Sequence, residues 1–162
     1  MIKVFLVEDE IVMRNGIKNN IPWEKEGLEF AGEASDGELA YPLIRKVQPD
    51  ILITDIRMPF MDGLELSELV KKEFPRIKII ILSGYNEFEY AKLAVRLGVS
   101  DYILKPVNPQ EFAQTIEKVT GELQKQYVEN EQRLQQSSYM REYLLYTCLL
   151  YTSPSPRDTE RS

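Results

Sequence analysis

The sequence predicts an α/β fold: a doubly wound sheet of five parallel strands covered by helices on both faces. Two features carry the prediction. Short apolar runs alternate five times with amphipathic stretches through residue 123, the pattern of repeated strand–helix units. The runs are apolar at consecutive positions, as strands are when both faces of a sheet are buried.

The elements follow in order. Ile2–Val7 reads as a buried strand, and Ile11–Ile21 as a helix stopped by Pro22. Leu28–Ala34 is a weaker second strand. Asp36 is placed to cap a helix running to about Val47, with Pro42 introducing an irregularity inside it. Gln48-Pro49-Asp50 turns into the apolar strand Ile51–Thr54, which ends at Asp55. Asp62, with Glu65 three residues on, marks the start of a helix from Gly63 to about Phe74, broken by Pro75. Ile77–Leu82 is the most hydrophobic strand, Glu87–Leu97 is a helix closed by Gly98, and Asp101–Leu104 is the last strand. Beyond Lys105-Pro106 a helix begins near Pro109 and carries Phe112, Ile116, Val119 and Leu123 on one face. Five such units fit the flavodoxin-like strand order 2-1-3-4-5.

The expected organisation is one α/β domain over residues 1–122, a helical linker over 123–147 and a tail over 148–162. The linker is rich in Gln, Glu and Lys, with an irregular heptad. The tail holds Pro154 and Pro156 and no apolar period, so it is expected to lack structure. It also resembles translated read-through of sequencing adapter. On that ground it is expected to be non-native, and the natural protein to continue past about Tyr146.

Composition narrows the function. A net charge of −6 argues against this stretch binding nucleic acid by itself, because such a surface must neutralise phosphates. The absence of histidine removes an imidazole base, a histidine metal site and a Ser-His-Asp triad. The single cysteine, Cys148, allows no internal disulfide and fits a reducing compartment. The N-terminal apolar run Val4–Val7 is too short for a signal peptide or a membrane span. The expected location is cytoplasmic, with no membrane partner.

Ligands of open parallel sheets bind at the carboxyl ends of the strands. Strand 1 ends in Glu8-Asp9-Glu10, strand 3 in Asp55, strand 4 in Ser83-Gly84 and strand 5 in Lys105-Pro106. Singly, each has a bland explanation: acids favouring a helix N-terminus, a turn aspartate before Met58-Pro59, a hydroxyl at a helix start, a solvated lysine. Together they gather carboxylates, a hydroxyl and an ammonium on one edge. Crowded carboxylates need protonation or a cation, and Mg²⁺ prefers such hard oxygen donors, whereas zinc and copper want histidine or cysteine. A metal, a lysine and a hydroxyl around one carboxylate suit a phosphoryl group. Asp55, on the central strand, is the expected nucleophile.

The strings VEDE at 7–10, TDIRMPFMDG at 54–63, ILSGY at 81–85 and SDYILKP at 100–106 resemble the motifs of two-component response-regulator receivers, over about residues 2–123. The resemblance implies that Asp55 is the phosphoacceptor and that Asp9 binds Mg²⁺ directly. Glu8, where an aspartate is common, would help through water, and the main-chain carbonyl of Arg57 would be a further ligand. It implies Ser83 as the switch hydroxyl, Tyr102 as the switch aromatic, Lys105 as a phosphoryl contact, and a cis bond before Pro106. The segment Ile21-Pro22-Trp23-Glu24 followed by GLEFAGEASDGELA is similar to the subgroup whose regulators carry a C-terminal helix-turn-helix domain of the arabinose-regulator (AraC) type. Trp23 also reads as a packing residue at the sheet edge.

The expected activity is that of a switch rather than a turnover enzyme. A sensor histidine kinase donates a phosphoryl group to Asp55, and the face made by helix 4, strand 5 and helix 5 then serves a possible homodimer. DNA would be met only through an output domain absent from this chain. Alternatives are a stand-alone phosphorelay receiver and a Mg²⁺-dependent phosphatase with an aspartyl nucleophile. The phosphatase would want a second aspartate two residues after Asp55, where Arg57 stands. A flavin-binding module would want a hydroxyl- and glycine-rich loop after strand 1, where the loop is acidic.

Overall fold

The computed structural model describes residues 1–84 and 88–152. Contacts divide the chain into two compact units, Met1–Leu123 and Gln124–Ser162. In the first unit, the strands β1 (Ile2–Val7), β2 (Leu28–Ala34), β3 (Ile51–Asp55), β4 (Lys78–Ser83) and β5 (Asp101–Leu104) form one parallel sheet in the order β2-β1-β3-β4-β5. The connecting helices are α1 (Ile11–Asn20), α2 (Gly37–Val47), α3 (Gly63–Glu73), α4 (Phe88–Leu97) and α5 (Pro109–Thr152). The start expected for α4, Glu87, lies outside the described residues.

The apolar strand runs divide by parity between two core layers, as the two-residue side-chain period of a strand requires. Val4, Leu6, Ile51, Ile53, Ile80 and Leu82 pack with Ile17 of α1 and with Phe112, Ile116, Val119 and Leu123 of α5. Phe5, Val7, Leu52, Ile79 and Ile81 pack on the other face with Ile44 of α2, Leu66 and Val70 of α3 and Ala94 of α4. Between Val4 and Phe5 the register with β2 shifts by one residue. Gly32 then faces Phe5 so closely that a Cβ would lie 2.7 Å from its ring.

Side chains cap the helices where the sequence placed them. Asp36 accepts from the Leu39 amide at 2.9 Å, and Asp62 accepts from the Glu65 amide at 2.8 Å. Helix α2 runs on through Pro42, which is exposed. One element was absent from the sequence expectation: a 3-10 turn, Glu24–Glu26, between α1 and β2. It follows from Trp23, whose indole N–H donates to the Lys18 carbonyl at 2.9 Å while its ring packs against Phe30 and, edge-on, Phe112.

In the second unit α5 extends to Thr152, so residues 148–152, expected to lack structure, are helical. The physical reason is local. The stretch Cys148–Thr152 holds no breaker, and helix is disfavoured only at Ser153, the residue before Pro154. The rest of the expected tail, 153–162, lies outside the described residues. Among the described residues no helix is long and apolar enough to cross a membrane.

Candidate functional site

The central strand β3 carries Asp55 to the carboxyl edge of the sheet, in register with Leu82 of β4. Three hydrogen bonds fix Asp55 and the residue after it. The Thr54 hydroxyl donates to the Asp55 carbonyl at 2.9 Å, the Ile56 amide donates to Asp55 Oδ1 at 2.8 Å, and the Gly63 amide donates to the Ile56 carbonyl at 2.7 Å. Gly63 has to be glycine: a Cβ there would fall 1.9 Å from the Asp55 carbonyl oxygen. The start of α3 therefore presses directly against the backbone of the acidic residue.

Three of the predicted acids meet. One carboxylate oxygen from each of Glu8, Asp9 and Asp55 lies within 4.8 Å of the others; Glu8 and Asp55 are buried and Asp9 is exposed. Lys105, following β5, closes the cluster: its Nζ is 3.0 Å from Asp55 Oδ2 and 2.8 Å from Glu8 Oε1. The Lys105 ammonium thus bridges two buried carboxylates, one from the end of β3 and one from the residue after β1. Glu8 Oε2 accepts from the Glu10 amide at 3.2 Å.

Burial dominates the electrostatics. It pushes the Glu8 carboxyl up to about 8, against the Lys105 ammonium, which lowers it, and with the Asp55 charge, which raises it further. Burial likewise raises Asp55 above the ordinary carboxylate range, with Glu8 and Lys105 opposing. Burial works against the Lys105 ammonium, but Glu8 and Asp55 outweigh it and hold its pKa above the usual value. Such a site gains from a further cation: three carboxylates, two of them buried, share one ammonium, all the donors are hard oxygens, and this set fits Mg²⁺.

The remaining predicted residues stand around the cluster. Ser83 is buried at the end of β4, and its hydroxyl donates to the Gly84 carbonyl at 3.1 Å. Tyr102 is half-buried on β5, packed against the layer under α2, α3 and α4. Arg57 is exposed, two residues beyond Asp55. The Lys105–Pro106 bond is cis. Sequence reasoning missed the Ile56 amide and the close approach of Gly63. The glycine straight after the Asp62 cap was a signal for the second; nothing in the sequence marks a main-chain donor.

Comparison with known proteins agrees with this geometry. Residues 4–117 match the family model of the response regulator receiver domain. The chain is 44% identical over 128 residues to the transcriptional regulatory protein YesN of Bacillus subtilis, covering 79% of this chain and 35% of that protein. It is 36% identical over 131 residues to the transcriptional regulatory protein HptR of Staphylococcus aureus, covering 80% of this chain and 51% of that one. The chain thus spans about a third to a half of the length of these relatives. Among solved structures, the receiver domain of AraT from Geobacillus stearothermophilus superposes with a TM-score of 0.74 at 39% identity, over 77% of this chain and 97% of that one. A two-component AraC-type transcriptional regulator from Clostridium phytofermentans gives 0.68 at 32% identity, over 78% and 98%. With the strand order, the acidic edge and the family match in agreement, the chain belongs to the response-regulator receiver family of two-component systems.

Proposed function

We propose that this chain is the receiver of a phosphorylation-activated response regulator, and that Asp55 accepts the phosphoryl group from a phosphohistidine of a sensor histidine kinase. The supporting observation is the site of Asp55: a buried carboxylate at the end of the central strand, with Lys105 at 3.0 Å and two further carboxylates within 4.8 Å. In the transfer, an Asp55 oxygen bonds to phosphorus as the donor's nitrogen–phosphorus bond breaks and its electron pair returns to the imidazole. Hydrolysis later gives inorganic phosphate and restores the carboxylate. Lys105 shifts from the Asp55 oxygen to an oxygen of the incoming group. Glu8, Asp9, Asp55 and the main-chain carbonyl of Arg57 are the residues that would hold Mg²⁺. Bound there, the ion would offset negative charge on the phosphoryl oxygens.

The switch pair follows from position. The Ser83 hydroxyl exchanges the Gly84 carbonyl for a phosphoryl oxygen, and Tyr102 reorients with it, altering the surface of α4, β5 and α5. That surface serves a homodimer. Two relatives named as transcriptional regulators, each longer than this chain, support a cytoplasmic protein that acts on DNA through an output domain beyond this chain, and the likeness to a solved two-component regulator named as AraC supports that type for the domain. An exposed arginine at position 57, in place of a second acid, disfavours the phosphatase alternative.

The deciding experiment is incubation with acetyl phosphate, with and without Mg²⁺, read by intact mass. One phosphoryl group should be added in wild type with Mg²⁺ and none in Asp55→Ala. Equal modification of Asp55→Ala would move the acceptor elsewhere.

A further inference from the structure

Glu8 stands one residue past the last paired position of β1, Val7, so its main-chain carbonyl has no strand partner. A carbonyl in a partly buried position needs a donor. Arg14, in the second turn of α1, supplies it: Nη1 donates to the Glu8 carbonyl at 2.7 Å. The same guanidinium turns its Nε to Glu33 Oε1 on β2 at 3.2 Å, and Lys18 Nζ sits 2.8 Å from Glu33 Oε2. The Arg14 side chain is 14% exposed. One acceptor follows β1 and the other lies on β2, and a planar fork with donors on different nitrogens meets both; a lysine ammonium is one point of charge.

Every other polar atom of Glu8 has its own contact. Its amide donates to the Ala34 carbonyl at 3.1 Å, Oε2 accepts from the Glu10 amide, and Oε1 faces Lys105. Arg14 therefore holds the one atom of Glu8 that neither the sheet nor the acidic cluster secures. That atom belongs to the peptide joining Glu8 to Asp9, the two acids that approach Asp55.

We propose that Arg14 is a positioning residue for the divalent-cation site: it fixes the Glu8–Asp9 peptide, and Glu33 fixes Arg14. This inference rests on the reading of the acidic cluster as a cation site. A guanidinium that touches no ligand acts here as outer partners of metal ligands do, by holding the donors in place.

The test uses the whole chain and Mn²⁺ as a paramagnetic probe, with free Mn²⁺ followed by electron paramagnetic resonance and Mg²⁺ as competitor. Wild type should bind one ion, and Asp9→Asn should abolish binding. Arg14→Lys should keep its urea midpoint near wild type yet bind Mn²⁺ about tenfold more weakly. Glu33→Gln should weaken binding less, since an amide oxygen still accepts from Nε, and it carries the test if Arg14→Lys fails to fold. Amide hydrogen exchange at residues 8–10 should speed up in both. A merely structural arginine would lower the midpoint and leave the affinity of the folded protein unchanged. Wild-type affinity in both variants would overturn the brace alone. Failure of wild type to bind Mn²⁺ in an Asp9-dependent way would overturn both the brace and the cation site beneath it.

Discussion

Phe60 is one of two non-glycine residues, among those described, with a positive φ. Its φ is +69°, and the Met61 amide donates to the Pro59 carbonyl at 2.8 Å across it, a γ-turn of the positive-φ kind. For a bulky side chain such a conformation costs about 1–3 kcal/mol, and Phe60, 80% exposed, recovers little by burial. Phe60→Gly removes that cost but adds about 0.5–1 kcal/mol of unfolded-chain entropy. The net expectation is a gain of about 1 kcal/mol, read as a higher urea midpoint at unchanged slope; a lower midpoint would show that the ring makes contacts that repay the strain. Glu33 gives a residue-scale prediction in pH. The Lys18 hydrogen bond, against some burial and with help from Arg14, holds its carboxyl below the ordinary range. A lowered carboxylate pKa adds stability that is present above the unfolded value and is lost as pH falls through the folded one. Wild type should therefore exceed Glu33→Gln by about 0.5 kcal/mol near neutral pH, a modest figure because solvent screens the pair. The difference should vanish below the usual carboxylate range. Parallel urea titrations across pH check this, and a pH-independent gap would assign Glu33 a packing role instead.

At the scale of elements, the start of α3 separates two effects of different size. Asp62 caps the helix, and Asp62→Ala should cost about 1 kcal/mol. Gly63 abuts the Asp55 carbonyl, a main-chain atom that cannot turn aside as a side chain does, so Gly63→Ala should cost about 3 kcal/mol. Denaturation of both variants gives the order, and a larger loss at Asp62 would contradict it. This pair also shows what the sequence made legible. The Asp62 cap was readable because a cap acts over three residues, and the strands were readable because burial on both faces writes unbroken apolar runs such as Ile79–Leu82. The glycine after the cap hinted at close packing, but its partner, the Asp55 carbonyl, was not readable, since it depends on how tightly α3 meets β3. Nor was the 3-10 turn at Glu24–Glu26, which follows a Trp23 packed against Phe112, a residue far along the chain. The acids of the site were legible as residues at strand ends. The bond from Lys105 to Asp55, fifty residues apart in sequence, could be expected only by way of the strand order.

At the scale of the whole molecule, the question is which part of the chain the receiver needs. The face of α5 that enters the core ends at Leu123, 5% exposed. Beyond it Tyr127 and Leu134 are 62% and 68% exposed, so these two side chains remove little apolar surface from water. Folding stability scales with that removal, and a lone helix in water gains little from its own hydrogen bonds because its nucleus is costly. A chain cut to residues 1–123 should therefore keep its urea midpoint within about 0.5 kcal/mol of the full chain. It should take up one Asp55-dependent phosphoryl group from acetyl phosphate at the same rate, because Glu8, Asp9, Asp55, Ser83 and Lys105 all lie in the first unit. Far-ultraviolet circular dichroism should lose helical signal while the unfolding transition stays put. If the midpoint instead falls by more than about 1 kcal/mol, the second unit contributes to folding through contacts made in solution, and the receiver would then extend past Leu123 as a cooperative unit.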